Sequence, residues 1–256
     1  MRLPDLPPRP PVPAGRRLPR TWRGRLGLAL GLVLLAGVLD VGRYLAWPDV
    51  ARLARENPRT TAFMDYRKEQ WAEQGQTRKI EQEWVPLGRI SPWLVSAVTI
   101  SEDDRFWEHE GFDLEGMEEA LKRDLARGRL AAGGSTITQQ LAKNLWFEPD
   151  KNPVRKLKEA ILAWRLERDL PKRRILELYL NLAEWGDGVF GIAAAARRHF
   201  HTTAAALTPE QAARLAVVLP SPLRMDPARP SRYVEQRSRV ILARMARRDP
   251  ALRDVR

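Results

Sequence analysis

The chain has 256 residues, 44 Lys and Arg against 32 Asp and Glu, a formal charge of +12 and no cysteine. That length can bury one good-sized core, and the lack of cysteine excludes disulfides and thiolate metal sites while leaving the redox compartment open. The basic excess favours an anionic partner, whether phosphate, acidic lipid or nucleic acid, and charge alone does not choose among them.

Residues 1–25 are rich in Pro and carry Arg2, Arg9, Arg16, Arg17, Arg20, Arg23 and Arg25 opposed only by Asp5. Such a segment has too little apolar surface to order itself and reads as a tail. Leu26 to Leu39 then runs without a charge; at helical rise it covers about 21 Å of a hydrocarbon core about 30 Å thick. Extension to Trp47 brings in Asp40 and Arg43, one helical turn apart, where they can pair near the far interface. We therefore predict a transmembrane helix over 26–47, flanked by Trp22 and Trp47. The Arg-rich side stays cytoplasmic by the positive-inside rule, placing the rest across the membrane. A cleaved signal peptide is the competing reading, but no convincing small-residue cleavage site follows the apolar run.

Residues 48–83 are expected to be a membrane-proximal segment of one or two short helices, with Tyr66 and Trp71 at the interface and an extended connector from Arg78 to Leu87. The folded domain is placed at 84–256. Its first helix has Ser91 as N-cap and Pro92 as first residue, with Leu94, Ala97, Val98 and Ser101 at helical spacing. Glu102 falls at the C-terminal end of that helix, among Asp103, Asp104, Glu108, His109, Glu110 and Asp113. The negative end of the helix opposes ionisation there by about 0.3 to 1 kcal/mol, and neighbouring acids push the same way. A carboxylate with a raised pKa suits a general base. The plainer meaning is a solvated helix end with His109 satisfied by a backbone carbonyl.

Further helices are predicted over Asp113–Arg127, Thr138–Leu145, Pro153–Leu170, Pro171–Trp185, Ile192–His199, Pro209–Leu219 and Arg232–Arg247, and strand signals are scarce, so the domain is expected to be all-α. Gly133-Gly134-Ser135-Thr136 opens the second of these with capping-box spacing between Thr136 and Gln139. Ile137, Leu141 and Leu145 form its apolar stripe, while Gln140, Lys143 and Asn144 share another face. Free N–H groups, hydroxyls and a cation suit a phosphate or a sugar; an ordinary glycine turn before an amphipathic helix fits the same pattern. Arg155, Lys156 and Glu159 lie on one helical surface, as an exposed ion pair or as two cations for a pyrophosphate beside a second carboxylate. On the next helix Ile175, Leu178, Tyr179 and Leu182 read as core, and Glu177 and Asn181 as hydrogen-bonding partners.

These four segments, in this order, resemble the peptidoglycan glycosyltransferase family, which polymerises lipid II. The motif residues are Glu102, Asp103, Phe106, His109, Gly111 and Asp113; Gly134 through Gln140 with Lys143 and Asn144; Arg155, Lys156 and Glu159; and Ile175 through Asn181. The similarity spans roughly Trp84 to Pro222 and is to the monofunctional biosynthetic form, since few residues follow Arg247. It implies a lysozyme-like, two-lobed all-α domain behind one N-terminal transmembrane helix, in the bacterial inner membrane with a periplasmic catalytic domain. A mobile stretch is expected over Arg123 to Gly133.

By the same resemblance Glu102 is the general base and Glu159 the second catalytic carboxylate, whose choice among orienting cations, relaying a proton and binding a divalent ion stays open. Lys143, Arg155 and Lys156 would hold pyrophosphate. Asp103, Phe106, His109, Ser135, Thr136, Gln140 and Asn144 would shape the cleft and contact sugars or phosphates, with Phe106 the plainest case of packing. No organic cofactor and no protein-held metal is implied, although a divalent cation (Mg or Mn) can bridge phosphates. Implied partners are lipid II, undecaprenyl-diphosphate-linked glycan, the membrane and cell-wall synthesis or division proteins, with no nucleic acid. The competing readings are a lytic glycan-cleaving enzyme, which needs no pyrophosphate cradle, and a non-catalytic scaffold.

Overall fold

The computed structural model describes residues 20–126, 134–149 and 152–249. The tail before residue 20, and residues 127–133 of the stretch expected to be mobile, lie outside the described residues. The chain divides into two units, Met1–Arg43 and Tyr44–Arg256.

The first unit is one helix, α1 (Arg20–Gly42). Its Leu and Val side chains between Leu26 and Leu39 are exposed on all sides, as they must be if lipid rather than protein covers them. The apolar window, Gly24–Leu45, is 22 residues long, about 33 Å at 1.5 Å per residue and enough to cross a bilayer core. Asp40 and Arg43 form the expected pair at 3.2 Å. Among the described residues this is the single helix that meets the length and composition for crossing a membrane.

The second unit begins at Tyr44, well before the boundary expected at residue 84. The Tyr44 ring is buried 5.6 Å from that of Phe147, and the buried Arg165 donates to the carbonyls of Tyr44 and Ala46 at 3.1 and 3.2 Å. Helix α2 (Ala62–Glu73) belongs to the same core. Trp71, expected at the membrane interface, is instead 4% exposed: its indole N–H donates to Asp187 at 3.2 Å, and the Arg78 guanidinium lies over its ring at 5.0 Å. The reason lies at Gly188, whose φ of +77° and lack of Cβ let the chain pass against that ring; a Cβ would fall 2.5 Å from it.

Two helical packings build the remainder. Helix α3 (Pro92–Glu102) buries Leu94, Ala97 and Val98 against α9 (Pro209–Val218) and α10 (Arg232–Arg248). Helix α5 (Ile137–Trp146) buries Ile137, Leu141 and Leu145, the stripe foreseen at steps of four, against α6 (Pro153–Asp169) and α7 (Lys172–Leu182). Helices α4 (Leu114–Ala126) and α8 (Ile192–Phe200) complete the α-helices among the described residues, beside three short 3-10 turns at Arg43–Leu45, Ala51–Ala54 and Leu87–Arg89.

The all-α expectation holds, with one small addition. β1 (Glu81–Gln82), β2 (Glu184–Gly186) and β3 (Val189–Phe190) form a sheet in the order β1-β3-β2, in which β1 runs parallel and β2 antiparallel to β3. The helix expected to run to Trp185 therefore stops at Leu182. Glu184 is drawn into a buried bidentate pair with Arg67, at 2.9 and 2.8 Å, which an extended backbone can deliver. The connector is pinned along α7: Asn181 exchanges hydrogen bonds with both backbone groups of Val85, and the Leu87 N–H donates to Glu177 at 2.8 Å. Glu177 and Asn181 thus do the hydrogen-bonding work expected of them. This bracing fixes where α3 starts, and so where Glu102 ends.

Candidate active site

Glu102 is the last residue of α3 and is half-buried. Its Oε2 accepts from the Gln140 amide at 2.9 Å, and the Gln140 carbonyl in turn accepts from the Tyr179 hydroxyl at 2.9 Å. The Glu102 carboxyl is raised above the usual carboxylate range, with burial the largest cause and the charge of Asp103 adding to it. The Gln140 hydrogen bond and the charges of Lys143 and Arg237 oppose the rise. Sequence reasoning reached that direction from the helix terminus and the neighbouring acids; desolvation is the larger effect. The terminus is itself partly satisfied, because Arg244 donates to the Ile100 carbonyl at 3.0 Å.

Asp103 and Asp104 point to different tasks. Asp103 is buried; its Oδ1 lies 2.8 Å from His109 Nε2, and its Oδ2 accepts from the Ile137 N–H at 3.0 Å, closing one free donor at the start of α5. His109 Nδ1 accepts from the Gly111 N–H at 3.1 Å, so Nε2 carries the proton given to Asp103. Both ring nitrogens are thus engaged inside the protein, by a carboxylate and an N–H rather than by a backbone carbonyl. Asp104 turns to α10 and pairs with Arg244 and Arg248, each at 2.7 Å.

Thr136 is buried and fully used: it forms the foreseen capping box with Gln139 and donates to the Gly111 carbonyl at 2.7 Å. Phe106 is fully buried, edge-on to Trp107 at 5.0 Å with the Lys172 ammonium 4.5 Å from its ring centroid, so its role is packing. These four side chains, Asp103, His109, Thr136 and Phe106, build the wall that joins α3 to α5 and leave few atoms for a ligand.

The groups left for a ligand are cationic or polar. Lys143, one turn beyond Gln140, is half-buried and makes no direct hydrogen bond or ion pair among the described residues. Its ammonium is lowered from the usual lysine value, first by burial; the carboxylates of Glu159 and Glu102 raise it, and Arg155 and Lys156 lower it. Glu159 is 2% exposed and takes an ion pair from Arg155 on one oxygen and from Lys156 on the other, the latter at 3.3 Å. Lys156 also donates to Ser135 at 2.9 Å. Asn144 is half-buried beside Lys143. Lys143, Arg155 and Lys156 with the Ser135 hydroxyl therefore form a basic surface whose carboxylate, Glu159, lies behind it and is already engaged.

Sequence reasoning missed Tyr179 and Arg237. Tyr179 sits on an apolar stripe and reads as core, which is correct for its ring; the missed signal is that a buried tyrosine hydroxyl needs a partner. Arg237 is brought near Glu102 by α10, and nothing local marks it.

A half-buried carboxylate at the end of α3 lies in the field of Lys143, which borders the basic surface of Arg155, Lys156 and Ser135. A family model described as Transglycosylase matches residues 68–246, and the chain belongs to that family. It is 47% identical over 190 residues to the biosynthetic peptidoglycan transglycosylase of Nitrosospira multiformis, covering 74% of this chain and 83% of that protein. The proteins of the same description from Laribacter hongkongensis and Dechloromonas aromatica are 47% and 45% identical over 216 and 224 residues, covering 84% and 88% of this chain and 92% and 94% of theirs.

Proposed function

We propose that the chain polymerises lipid II into β-1,4-linked glycan, releasing undecaprenyl diphosphate, with Glu102 as general base. The observation that carries this reading is the half-buried Glu102 at the end of α3, held by the Gln140 amide at 2.9 Å, raised by burial and lying in the field of Lys143. Glu102 takes the proton of the acceptor sugar's 4-hydroxyl as that oxygen attacks the donor's anomeric carbon. The bond from that carbon to pyrophosphate breaks, and configuration inverts. Base catalysis of this kind contributes about a hundredfold to ten-thousandfold. Lys143, Arg155 and Lys156 offset the charge that develops on the departing pyrophosphate, Arg155 and Lys156 being held in place by Glu159. Ser135 and Asn144 border the same surface.

The divalent cation that the resemblance allows has no cage of protein ligands: among the described residues no three His, Asp or Glu side chains converge on a metal position, and both Glu159 oxygens face cations. No step is assigned to it, and an ion taking part would ride on the substrate's phosphates.

Access to a lipid substrate is supported by α6, on which Val154, Leu157 and Trp164 are exposed along one helical face. The N-terminus is assigned to the cytoplasm and the second unit to the periplasmic side of the inner membrane on the strength of the Arg-rich tail. Single cysteines introduced on either side of α1 of this cysteine-free chain test that by membrane-impermeant labelling. Incubation of the solubilised protein with labelled lipid II, then sizing before and after muramidase digestion, tests the activity. Polymer that digests to disaccharide units is expected, and lipid II left unpolymerised, or glycan cleaved instead of made, would overturn the reading.

A further inference from the structure

The amide of Gln140 stands between two oxygen groups and can be turned either way. Toward Glu102 it presents its NH2 group at 2.9 Å, and toward Tyr179 its carbonyl at 2.9 Å. An amide carbonyl only accepts, so the Tyr179 hydroxyl is the donor in this arrangement. Turned over, the amide would offer its carbonyl to Glu102, a contact that a carboxylate repels and a protonated carboxyl welcomes. Tyr179 itself is 1% exposed, on α7 behind the site, where it cannot touch a substrate.

We infer that Tyr179 is a positioning residue for the reaction: its hydroxyl fixes the Gln140 amide so that N–H groups, and not the carbonyl oxygen, face the Glu102 carboxylate. The inference rests on Glu102 being the base. A hydrogen bond donated to a carboxylate favours its charged form, and one accepted from a carboxyl favours the neutral form. Fixing the amide therefore keeps more Glu102 ionised at a given pH and engages Oε2, leaving Oε1 as the oxygen open to the acceptor's proton. Deep burial and the nearby charges of Glu102 and Asp103 hold the proton on the Tyr179 oxygen; a hydroxyl can also accept, so the orientation is set by the two contacts together, Tyr179 donating at one end of the amide and the carboxylate accepting at the other. The other groups that face Glu102 are Asp103 on its own chain turn, Lys143 from α5 and Arg237 from α10, and none of them contacts the Gln140 carbonyl.

The test is the pH dependence of lipid II polymerisation by the full chain in detergent. Tyr179→Phe keeps the buried ring and is expected to move the acid limb of kcat upward by about half a pH unit or more, with the Michaelis constant for lipid II within about twofold. Gln140→Met should move the limb the same way, and adding Tyr179→Phe to it should do nothing more, because the tyrosine acts through the amide. An acid limb unmoved in folded Tyr179→Phe, or shifts that simply add in the double variant, overturns the inference. If Tyr179→Phe does not fold, 3-fluorotyrosine at position 179, a stronger donor of the same shape, must move the limb downward, and no movement counts against the proposal. Glu102→Gln, assayed in parallel, separates the two layers. Near-normal turnover by it removes the base assignment itself, whereas an inactive Glu102→Gln beside an unmoved Tyr179→Phe removes only the role of Tyr179.

Discussion

His109 gives its Nε2 proton to Asp103 Oδ1 across 2.8 Å, and the other Asp103 oxygen takes the Ile137 N–H at 3.0 Å, so one buried carboxylate ties the loop after α3 to the start of α5. Asp103→Asn must turn its NH2 group toward one of those two donors and leave it unsatisfied. The loss of a buried hydrogen bond of this kind costs about 1 to 3 kcal/mol, equivalent to a melting temperature lower by roughly 2 to 10 °C for a domain of this size. The same substitution removes a charge that raises Glu102, so the acid limb of the rate profile should move to lower pH even as stability falls. Calorimetry and a pH–rate series on one preparation check both signs; a fall in stability with the limb moving upward would contradict the electrostatic account.

Glu102→Gln separates activity from stability in the opposite sense. Loss of the proposed base should lower polymerisation at least about a hundredfold. Because the native carboxyl titrates above its unfolded value, native protein binds the proton more tightly than unfolded chain does. That contribution to stability is complete below the unfolded pKa and is lost as pH rises through the native one. Burial makes the ionised carboxylate the form that the folded protein disfavours, and glutamine removes it. The variant is therefore expected to melt no lower than wild type at neutral pH, with the difference shrinking on acidification. A clear loss of stability at neutral pH would show that the ionised carboxylate supports the fold.

Local pattern was enough where one segment determines its own structure. The capping box at Thr136, the stripe of Ile137, Leu141 and Leu145, and the Asp40–Arg43 pair all follow from spacing within a helical turn or two. What local pattern could not show are relations that depend on distant segments. Trp71 is buried because Gly188, over a hundred residues away, lets the chain lie on its ring, and β2 exists because Arg67 calls Glu184 into the core. In the candidate site the motif residues were visible, but their division of labour was not. His109 and Thr136 turn inward to hold the wall, and Tyr179 joins the site through Gln140, contacts set by the crossing of α3, α5 and α7 rather than by sequence neighbours.

Glu159 meets Arg155 and Lys156 through separate oxygens while being 2% exposed, an arrangement that suits positioning better than proton transfer. Glu159→Gln keeps the shape but gives the cations a neutral partner on one side. We expect kcat/KM for lipid II to fall about ten- to a hundredfold, with both limbs of the pH profile in place, because no proton passes through this residue. Disappearance of a limb in the kcat profile would instead assign Glu159 a proton-transfer role.

Of the three cations on the basic surface, Lys143 makes no direct hydrogen bond or ion pair among the described residues, and it lies in the field of both Glu102 and Glu159. Its partial burial without a contacting carboxylate is costly unless an anion arrives, and a pyrophosphate would supply one. Lys143→Ala would therefore remove the contact proposed for the substrate's pyrophosphate, and the lipid II concentration needed for half-maximal rate should rise about tenfold or more. The same change removes a positive charge that lowers Glu102, so the acid limb should move to higher pH, opposite to Asp103→Asn. Lys143→Arg, which keeps the charge, should spare the acid limb while recovering only part of the affinity, since the guanidinium needs more room than an ammonium. The discriminating measurement is a rate surface over lipid II concentration and pH. A Lys143→Ala enzyme with unchanged lipid II dependence would show that the pyrophosphate is held elsewhere, and an unmoved acid limb would show that Lys143 and Glu102 do not share one field.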